Sequence, residues 1–295
     1  MPTVLVTGGC GFLGSHIVDE LLLNNYVVRV LDKNIVEYTS SSDLEYIKFD
    51  LFENNIPKKL VSDCDIIIHL AAFSDLNAAL DAPLDTVNHN VVATIKLLKL
   101  AAEIKINRFL FASTVYVYSQ GGGFYKASKQ ACEVYIEEFH KRYGLDYTIL
   151  RYGSLYGLRS DESNGIYRLI NSALDENKIV YNGDENEKRE YINVQDAARL
   201  TVETIDSKFI NGNYVITGQQ SITNADLITM FSEILNKELS VEYNKIEEDI
   251  TGSHYKITPY TYLPKPGKKI TPRVSVDMGQ GLIQLIEEIQ NGDKE

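Results

Sequence analysis

Apolar residues in the first half of the chain fall in short, nearly continuous runs. These are "TVLV" at 3–6, "YVVRVLD" at 26–32, "LEYIKFD" at 44–50, "CDIIIHLA" at 64–71, "RFLFAS" at 108–113 and "DYTILRY" at 146–152. Between several of them lie stretches of helix length, at 13–24, 88–105 and 126–143. A strand that is apolar on both faces must be covered on both, so this alternation predicts a parallel sheet between two layers of helices, with right-handed crossovers. After about residue 153 the rhythm loosens. Helical patterns continue near 164–177, 194–206 and 224–236, with a short strand near 213–217. The stretch 252–273 holds four of the seven prolines and reads as loop. The expectation is an α/β protein. Its doubly wound parallel sheet takes 1–152 plus 192–218, and a smaller α+β domain takes 153–191 plus 219–295, the two exchanging segments.

The break after the first strand carries candidate chemistry. In "TGGCGFLG", Gly9, Gly11 and Gly14 fit G-x-G-x-x-G, and Gly8, Gly11 and Gly14 fit G-x-x-G-x-x-G. Either spacing alone also describes a tight turn with no ligand. Here it follows a strand, opens a helix, and precedes a second strand ending in Asp32. That context predicts a dinucleotide site, with backbone N–H groups and a helix N-terminus facing a pyrophosphate. An acid at Asp32 would bind both ribose hydroxyls and repel a 2′-phosphate, favouring NAD over NADP. The cation at Lys33 works mildly against that preference.

A second constellation follows. "FYKASK" places Tyr125 and Lys129 four residues apart, on one face of a helix. A cation beside a phenol lowers its pKa towards working pH, which makes a general acid/base. Before them, "FLFASTVYVYS" runs from a strand into hydroxyl residues, so Ser113 or Thr114 reaches the carboxyl end of the sheet, where such folds bind ligands.

Composition narrows the classes. A net charge of −12 argues against a broad nucleic-acid surface. No apolar stretch reaches the length that spans a bilayer, and no signal peptide is visible. Cys10, Cys64 and Cys132 lack metal-like spacing and read as buried thiols in a reducing cytoplasm. No metal site is expected.

Taken in order, these motifs resemble the extended short-chain dehydrogenase/reductase superfamily, and most of all its NAD-dependent epimerase/dehydratase branch acting on nucleotide sugars. The resemblance runs through nearly the whole chain. It implies a Rossmann fold and NAD contacts from Gly8, Gly11, Phe12, Leu13 and Gly14 in the turn. Asp50 and Leu51 of "FDL" correspond to the adenine contact. Leu70, Ala71 and Ala72 of "HLAA" correspond to the strand end beside the cofactor, and Asn90 of "NVVAT" to the helix-opening motif. Ser113 and Tyr152 also fall on cofactor positions.

The same resemblance implies the reaction. Tyr125 moves the proton of a sugar hydroxyl while hydride passes between the sugar carbon and the nicotinamide. Lys129 holds the nicotinamide ribose and tunes Tyr125. Thr114 orients the reacting oxygen, and Ser113 is the less favoured candidate for that task. Ser154 of "LRYGSLYG" and Arg189 of "REYINVQDAA" would face the substrate diphosphate, although Arg189 in its charged run also reads as a solvated residue. A homodimer through the helices at 91–105 and 126–143, and a place in surface polysaccharide assembly, are further implications.

Three departures stand out. Val115 and Tyr116 replace the Asp-Glu pair that follows the threonine in 4,6-dehydratases, which argues against dehydration. Only ten residues, three of them the glycines 121–123, separate Thr114 from Tyr125. The expectation is a flexible loop and a more open sugar pocket, or one filled by "SHYKITPYTY". Third, Gly153 and Ser154 replace an aromatic residue and an asparagine. The leading expectation is NAD-dependent oxidation at C4 of a nucleotide sugar, as 4-epimerase or 4-dehydrogenase. The alternatives are a ketoreductase, a reductase of a non-nucleotide substrate, and a non-catalytic NAD-binding regulator.

Overall fold

Side chains alternate across a strand, so the apolar runs divide between two faces of one sheet. The computed structural model describes residues 1–52, 55–244 and 257–260, and Met1–Tyr262 form one compact unit. In chain order the elements are β1 (Thr3–Thr7), α1 (Phe12–Leu23), β2 (Val27–Asp32), β3 (Leu44–Lys48), β4 (Ile66–His69), α2 (Leu76–Asp81), α3 (Pro83–Thr86), α4 (Ala93–Ile104), β5 (Arg108–Thr114), α5 (Gly123–Tyr143) and β6 (Tyr147–Tyr152). Then come β7 (Ser154–Tyr156), α6 (Gly165–Glu176), β8 (Lys178–Asn182), β9 (Lys188–Asn193), α7 (Val194–Glu203), β10 (Gly212–Ile216), β11 (Ser221–Thr223), α8 (Asn224–Leu235) and β12 (Ser240–Asn244).

Seven strands form one parallel sheet in the order β10-β6-β5-β4-β1-β2-β3. On one face Val4, Val6, Val30, Ile68 and Leu110 pack with Ile17 and Leu21 of α1 and Ala197 and Val202 of α7. On the other, Leu5, Leu31, Ile67, Phe109 and Ile149 pack with Leu97 and Leu98 of α4 and Ile136 of α5. Each such side chain, once fully buried, contributes about 1.5–3 kcal/mol. The doubly wound α/β architecture expected from the apolar runs is the one found. The order reverses between β1 and β4, and ligands bind outside the carboxyl ends of strands at such a switch point.

Five short strands have no counterpart in the sequence reading. β7, β9 and β11 make one small sheet, and β8 pairs with β12 in parallel. Each mixes polar with apolar residues, at least one of them exposed, and lacks the continuous buried run that marks a central strand. A small separate core joins Ala173 and Leu169 of α6 to Ile179 and Tyr181 of β8 and Ile228 of α8. The helix expected from residue 88 instead opens with a wide π-type turn, Val87–Val92, and becomes α-helical only at Ala93. The expected loop at 252–273 lies outside the described residues except for 257–260.

Candidate active site

The turn between β1 and α1 is built by close backbone approach. Gly8 has φ +73°, and a Cβ there would stand 2.7 Å from the Ala71 backbone nitrogen. A Cβ on Gly14 would stand 2.1 Å from the Gly8 carbonyl oxygen. Both positions therefore demand glycine. Helix α1 starts at Phe12 with Gly11 as its N-cap and no capping side chain, so its positive end faces the turn. At the end of β2, Asp32 Oδ2 accepts from Cys10 N (3.1 Å) and Oδ1 from Asn34 N (3.1 Å), which fixes the carboxylate.

These groups line one cavity of about 510 Å³. Gly8, Gly11, Phe12, Leu13, Gly14, Asp32, Asp50, Leu51, Leu70, Ala71 and Ala72 all reach it, with Thr114, Ser113, Tyr125, Lys129 and Tyr152 further along. The glycine cradle and the fixed acid suit a pyrophosphate and a ribose, so the residues present fit NAD.

A fully polar chain lies beneath the cradle. Thr94 Oγ1 donates to Asn90 O (2.5 Å) and so accepts from His69 Nε2 (2.8 Å). The other ring nitrogen of His69, Nδ1, then accepts from Thr7 Oγ1 (2.6 Å). Burial, with a smaller effect of Lys129, pulls the His69 pKa down to about 3, so the ring is neutral and its tautomer is fixed by its partners. It ties β1, β4 and α4 together at the switch point.

Helix α5 supplies the chemistry. Tyr125 stands half-buried on the cavity wall, and Lys129 is buried one turn on. Lys129 Nζ donates to Ala112 O (2.7 Å) and lies 5.7 Å from the centre of the Tyr125 ring. Burial lowers the Lys129 pKa to about 8. Burial also raises the Tyr125 pKa above that of an ordinary phenol, with a smaller contribution from Cys132. The sequence argument had this direction reversed. The lysine points its ammonium at a carbonyl on β5, and desolvation of the phenolate prevails.

The two hydroxyls before α5 divide their tasks. Ser113 Oγ donates to Glu133 Oε1 (2.5 Å), whereas Thr114 Oγ1 accepts from Tyr116 N (3.3 Å) and keeps its own proton to offer.

Three expected site residues do not line the cavity. Asn90 is buried behind it, where its side chain holds Phe73 N (2.6 Å), Phe73 O (3.1 Å) and Ser128 Oγ (2.9 Å). Ser154 opens β7 off the wall. Arg189 pairs with Glu187 at 3.4 Å, both side chains nearly buried. Conversely, Ser74, His89, Ser163 and Asn164 line the cavity although no motif pointed to them, and so does Tyr116, which stands where a dehydratase carries an acid. A sequence signal existed for Asn164 alone. It is an N-cap asparagine, accepting from Ile166 N (2.9 Å) and Tyr167 N (3.2 Å) at the start of α6.

Gly153, one of the departures, has a local reason. A Cβ there would lie 2.5 Å from Thr217 Oγ1, so the aromatic residue expected at this place does not fit.

The short loop after Thr114 is braced by its own hydrogen bonds. Ser119 Oγ donates to Tyr116 O (3.1 Å) and Gly121 O (3.0 Å), and Lys126 Nζ donates to Gln120 O (3.1 Å). Residues 117–124 nevertheless stay off the cavity wall. Of "SHYKITPYTY", residues 257–260 sit on β9, where Glu190 N donates to Thr258 Oγ1 (3.1 Å) and Tyr260 bonds the Glu190 carboxylate. The rest of that run lies outside the described residues.

Among the described residues no acidic, histidine or cysteine cluster could hold a metal ion, and no helix is long and apolar enough to cross a membrane.

The comparisons with known proteins agree with this geometry. The solved UDP-N-acetylglucosamine 4-epimerase from Methanobrevibacter ruminantium M1, in complex with UDP-N-acetylmuramic acid, is 28% identical. Its TM-score is 0.78, covering 88% of this chain and 89% of that one. UDP-glucuronic acid 4-epimerase from Bacillus cereus, in complex with UDP-glucuronic acid and NAD, is 26% identical. Its TM-score is 0.79, covering 90% and 95%. A UDP-N-acetyl-alpha-D-glucosaminuronate decarboxylase of Bacillus cytotoxicus is 27% identical over 97% of this chain and 98% of its own. The sequence model of the NAD dependent epimerase/dehydratase family matches residues 4–217. That match spans most of the chain, and the protein accordingly belongs to this family of NAD-dependent enzymes, a branch of the extended short-chain dehydrogenase/reductases.

Proposed function

We propose that the protein is a 4-epimerase of a nucleotide-diphosphate sugar. One observation carries this over dehydration. The only carboxylates among the described residues of the cavity wall are Asp32 and Asp50, both at the end that suits the adenosine. The other end offers Tyr125, Lys129, Thr114 and Tyr116, and no carboxylate among the described residues. Removing water from a sugar calls for a second acid/base, whereas inversion at a single carbon does not.

When bound, NAD supplies the acceptor and donor of hydride. Gly8, Gly11 and Gly14 give its pyrophosphate room, Asp32 takes its ribose hydroxyls, and Lys129 faces the nicotinamide end. Tyr125 accepts the proton of the sugar hydroxyl as that carbon is oxidised. Thr114 donates a hydrogen bond to the same oxygen and keeps it in line. After the keto sugar turns over, Tyr125 returns the proton to the same oxygen, and the hydride held by the cofactor would return to the opposite face of that carbon. Its raised pKa must come down for the first step, and a cationic nicotinamide nearby acts in that direction.

The two solved 4-epimerases above are named for UDP-sugars, whereas the relatives named for dTDP-glucose are dehydratases, so UDP is the nucleoside diphosphate we assign. Segments 1–152 plus 192–218 hold the cofactor, and 153–191 plus 219–244 the substrate. Ser154 and Arg189 keep their diphosphate role only if Arg189 exchanges Glu187 for the ligand. Exposed Val134 and Tyr135 on α5 support a homodimer, and three free buried thiols support a cytoplasmic enzyme.

The test is incubation of the purified chain with NAD and, separately, UDP-glucose, UDP-N-acetylglucosamine and UDP-glucuronic acid, with the sugars resolved by NMR. Appearance of a 4-epimer without accumulated NADH is expected. Release of a keto sugar, a dehydrated sugar or carbon dioxide would replace this reading.

A further inference from the structure

Helix α5 carries a third functional side chain on the stripe of Tyr125 and Lys129. Glu133 follows Lys129 by four residues and is 8% exposed. It touches neither cofactor space nor the cavity wall. Its carboxylate is instead the centre of a buried junction. Oε1 accepts from Ser113 Oγ (2.5 Å) on β5 and from Arg151 Nε (2.9 Å) on β6. Oε2 accepts from Arg151 Nη2 (2.6 Å). Ser113 and Arg151 are opposite each other in the β5–β6 register, as are Thr114 and Tyr152.

The junction continues to the loop. Arg151 Nη1 donates to the Tyr118 hydroxyl, and its guanidinium lies over the Tyr118 ring, 4.8 Å from the centre. Tyr118 ends the single 3-10 turn, Val115–Tyr118, that begins directly after Thr114. The turn is thus held at both ends: at Thr114 by the strand, and at Tyr118 by an arginine that Glu133 fixes. A two-pronged guanidinium–carboxylate pair is among the most directional contacts available to side chains. It is costly to desolvate and costly to break once buried.

We propose that Glu133 is a positioning residue of the reaction: through Ser113, Arg151 and Tyr118 it locks the turn bearing Thr114 to the helix bearing Tyr125, so that hydroxyl and phenol meet one sugar oxygen. This deepens the epimerase reading and rests on it for the turnover readout. The arrangement also gives Ser113 an occupation. Its hydroxyl is spent on the lock, which leaves Thr114 to face the substrate.

The test uses Glu133→Gln and Tyr118→Phe. The first keeps shape but sets an amide against Arg151. The second keeps the ring under the guanidinium and removes only the hydroxyl, so it leaves a folded protein if the first does not. Two quantities are read: kcat and KM on the active UDP-sugar, and backbone hydrogen exchange over 113–119 in the NAD-bound protein. A fall in kcat of about ten- to a hundredfold is expected, with KM within about twofold, because a misplaced reacting group costs rate rather than binding. Exchange over 113–119 rises in both variants. Folded variants with unchanged kcat, or with unchanged exchange over 113–119, overturn the proposal. Should the wild-type chain turn over no nucleotide sugar, the epimerase reading fails, and the exchange measurement decides the lock by itself.

Discussion

The two ends of the cavity are fixed by different means. At the cofactor end the backbone itself makes the shape: Gly8 and Gly14 remove Cβ atoms that would collide with backbone, and Asp32 is pinned by two backbone N–H groups. At the chemical end the shape comes from side chains holding one another across α5, β5 and β6. A site set by backbone leaves its mark in glycine spacing. A site set by side-chain partners leaves little, because the partners are distant in sequence and join only on folding.

The sharpest break of this comparison is Tyr125→Phe. Turnover should fall by about 10²–10⁴-fold, the range for a lost general acid/base, with NAD affinity retained in calorimetry. Gly14→Ala should do the opposite. Its methyl must displace the Gly8 carbonyl, and an overpacking cost of about 1–3 kcal/mol appears as about ten- to a hundredfold weaker NAD binding. Loss of turnover in Gly14→Ala at saturating NAD would show that the two ends are not separable. Asp32→Asn should narrow the preference for NAD over NADP by about tenfold, since it removes one repelling charge. Binding constants for both nucleotides measure this.

Lys129 gives a smaller effect that needs no ligand. Its pKa is about 8 when folded and near the ordinary lysine value when unfolded. Between those values the unfolded chain binds more protons, so stability rises with pH. The stabilising contribution is complete above the unfolded value and is lost as pH falls through about 8. The difference in denaturation free energy between the NAD-free wild type and Lys129→Met should carry that rise, because the buried thiols, whose pKa values burial raises, pull the total the other way over the same range. A flat difference would mean that the ammonium is solvated. The smallest effect is expected at Gly153→Ala. Thr217 must give way at a half-buried position, and a melting temperature lowered by a few degrees with near-normal KM is the outcome to check.

The same division explains what the sequence revealed. Five of the seven central strands follow from apolar runs buried on both faces, the edge strand β3 from a half-exposed run, and β10 from a short one. The glycine turn, Asp32, and the Tyr125–Lys129 pair were legible because local spacing sets their geometry. The raised pKa of Tyr125 is not legible in the sequence, since where the Lys129 ammonium points depends on a carbonyl of β5. Ser163 and Asn164 went unnoticed because they reach the cavity from a loop with no periodicity. β8 and β9 were missed because half-exposed strands of mixed polarity resemble loop. Asn90 was read as a cofactor contact from its motif, whereas its amide is spent bracing Phe73 against Ser128.

The return of β10 to the sheet bears on how the protein is made. Strand β6 is synthesised some sixty residues before its outer neighbour: Gly212 pairs with Thr148 and Ile216 with Tyr152. Until β10 emerges from the ribosome, β6 is a naked edge of apolar sequence, the kind of template on which chains aggregate. A nascent chain stopped before residue 212 would carry the whole glycine turn and both Tyr125 and Lys129 of α5, yet it would lack the strand that closes the sheet. Synthesis through the second region is therefore a requirement for safe folding of the first.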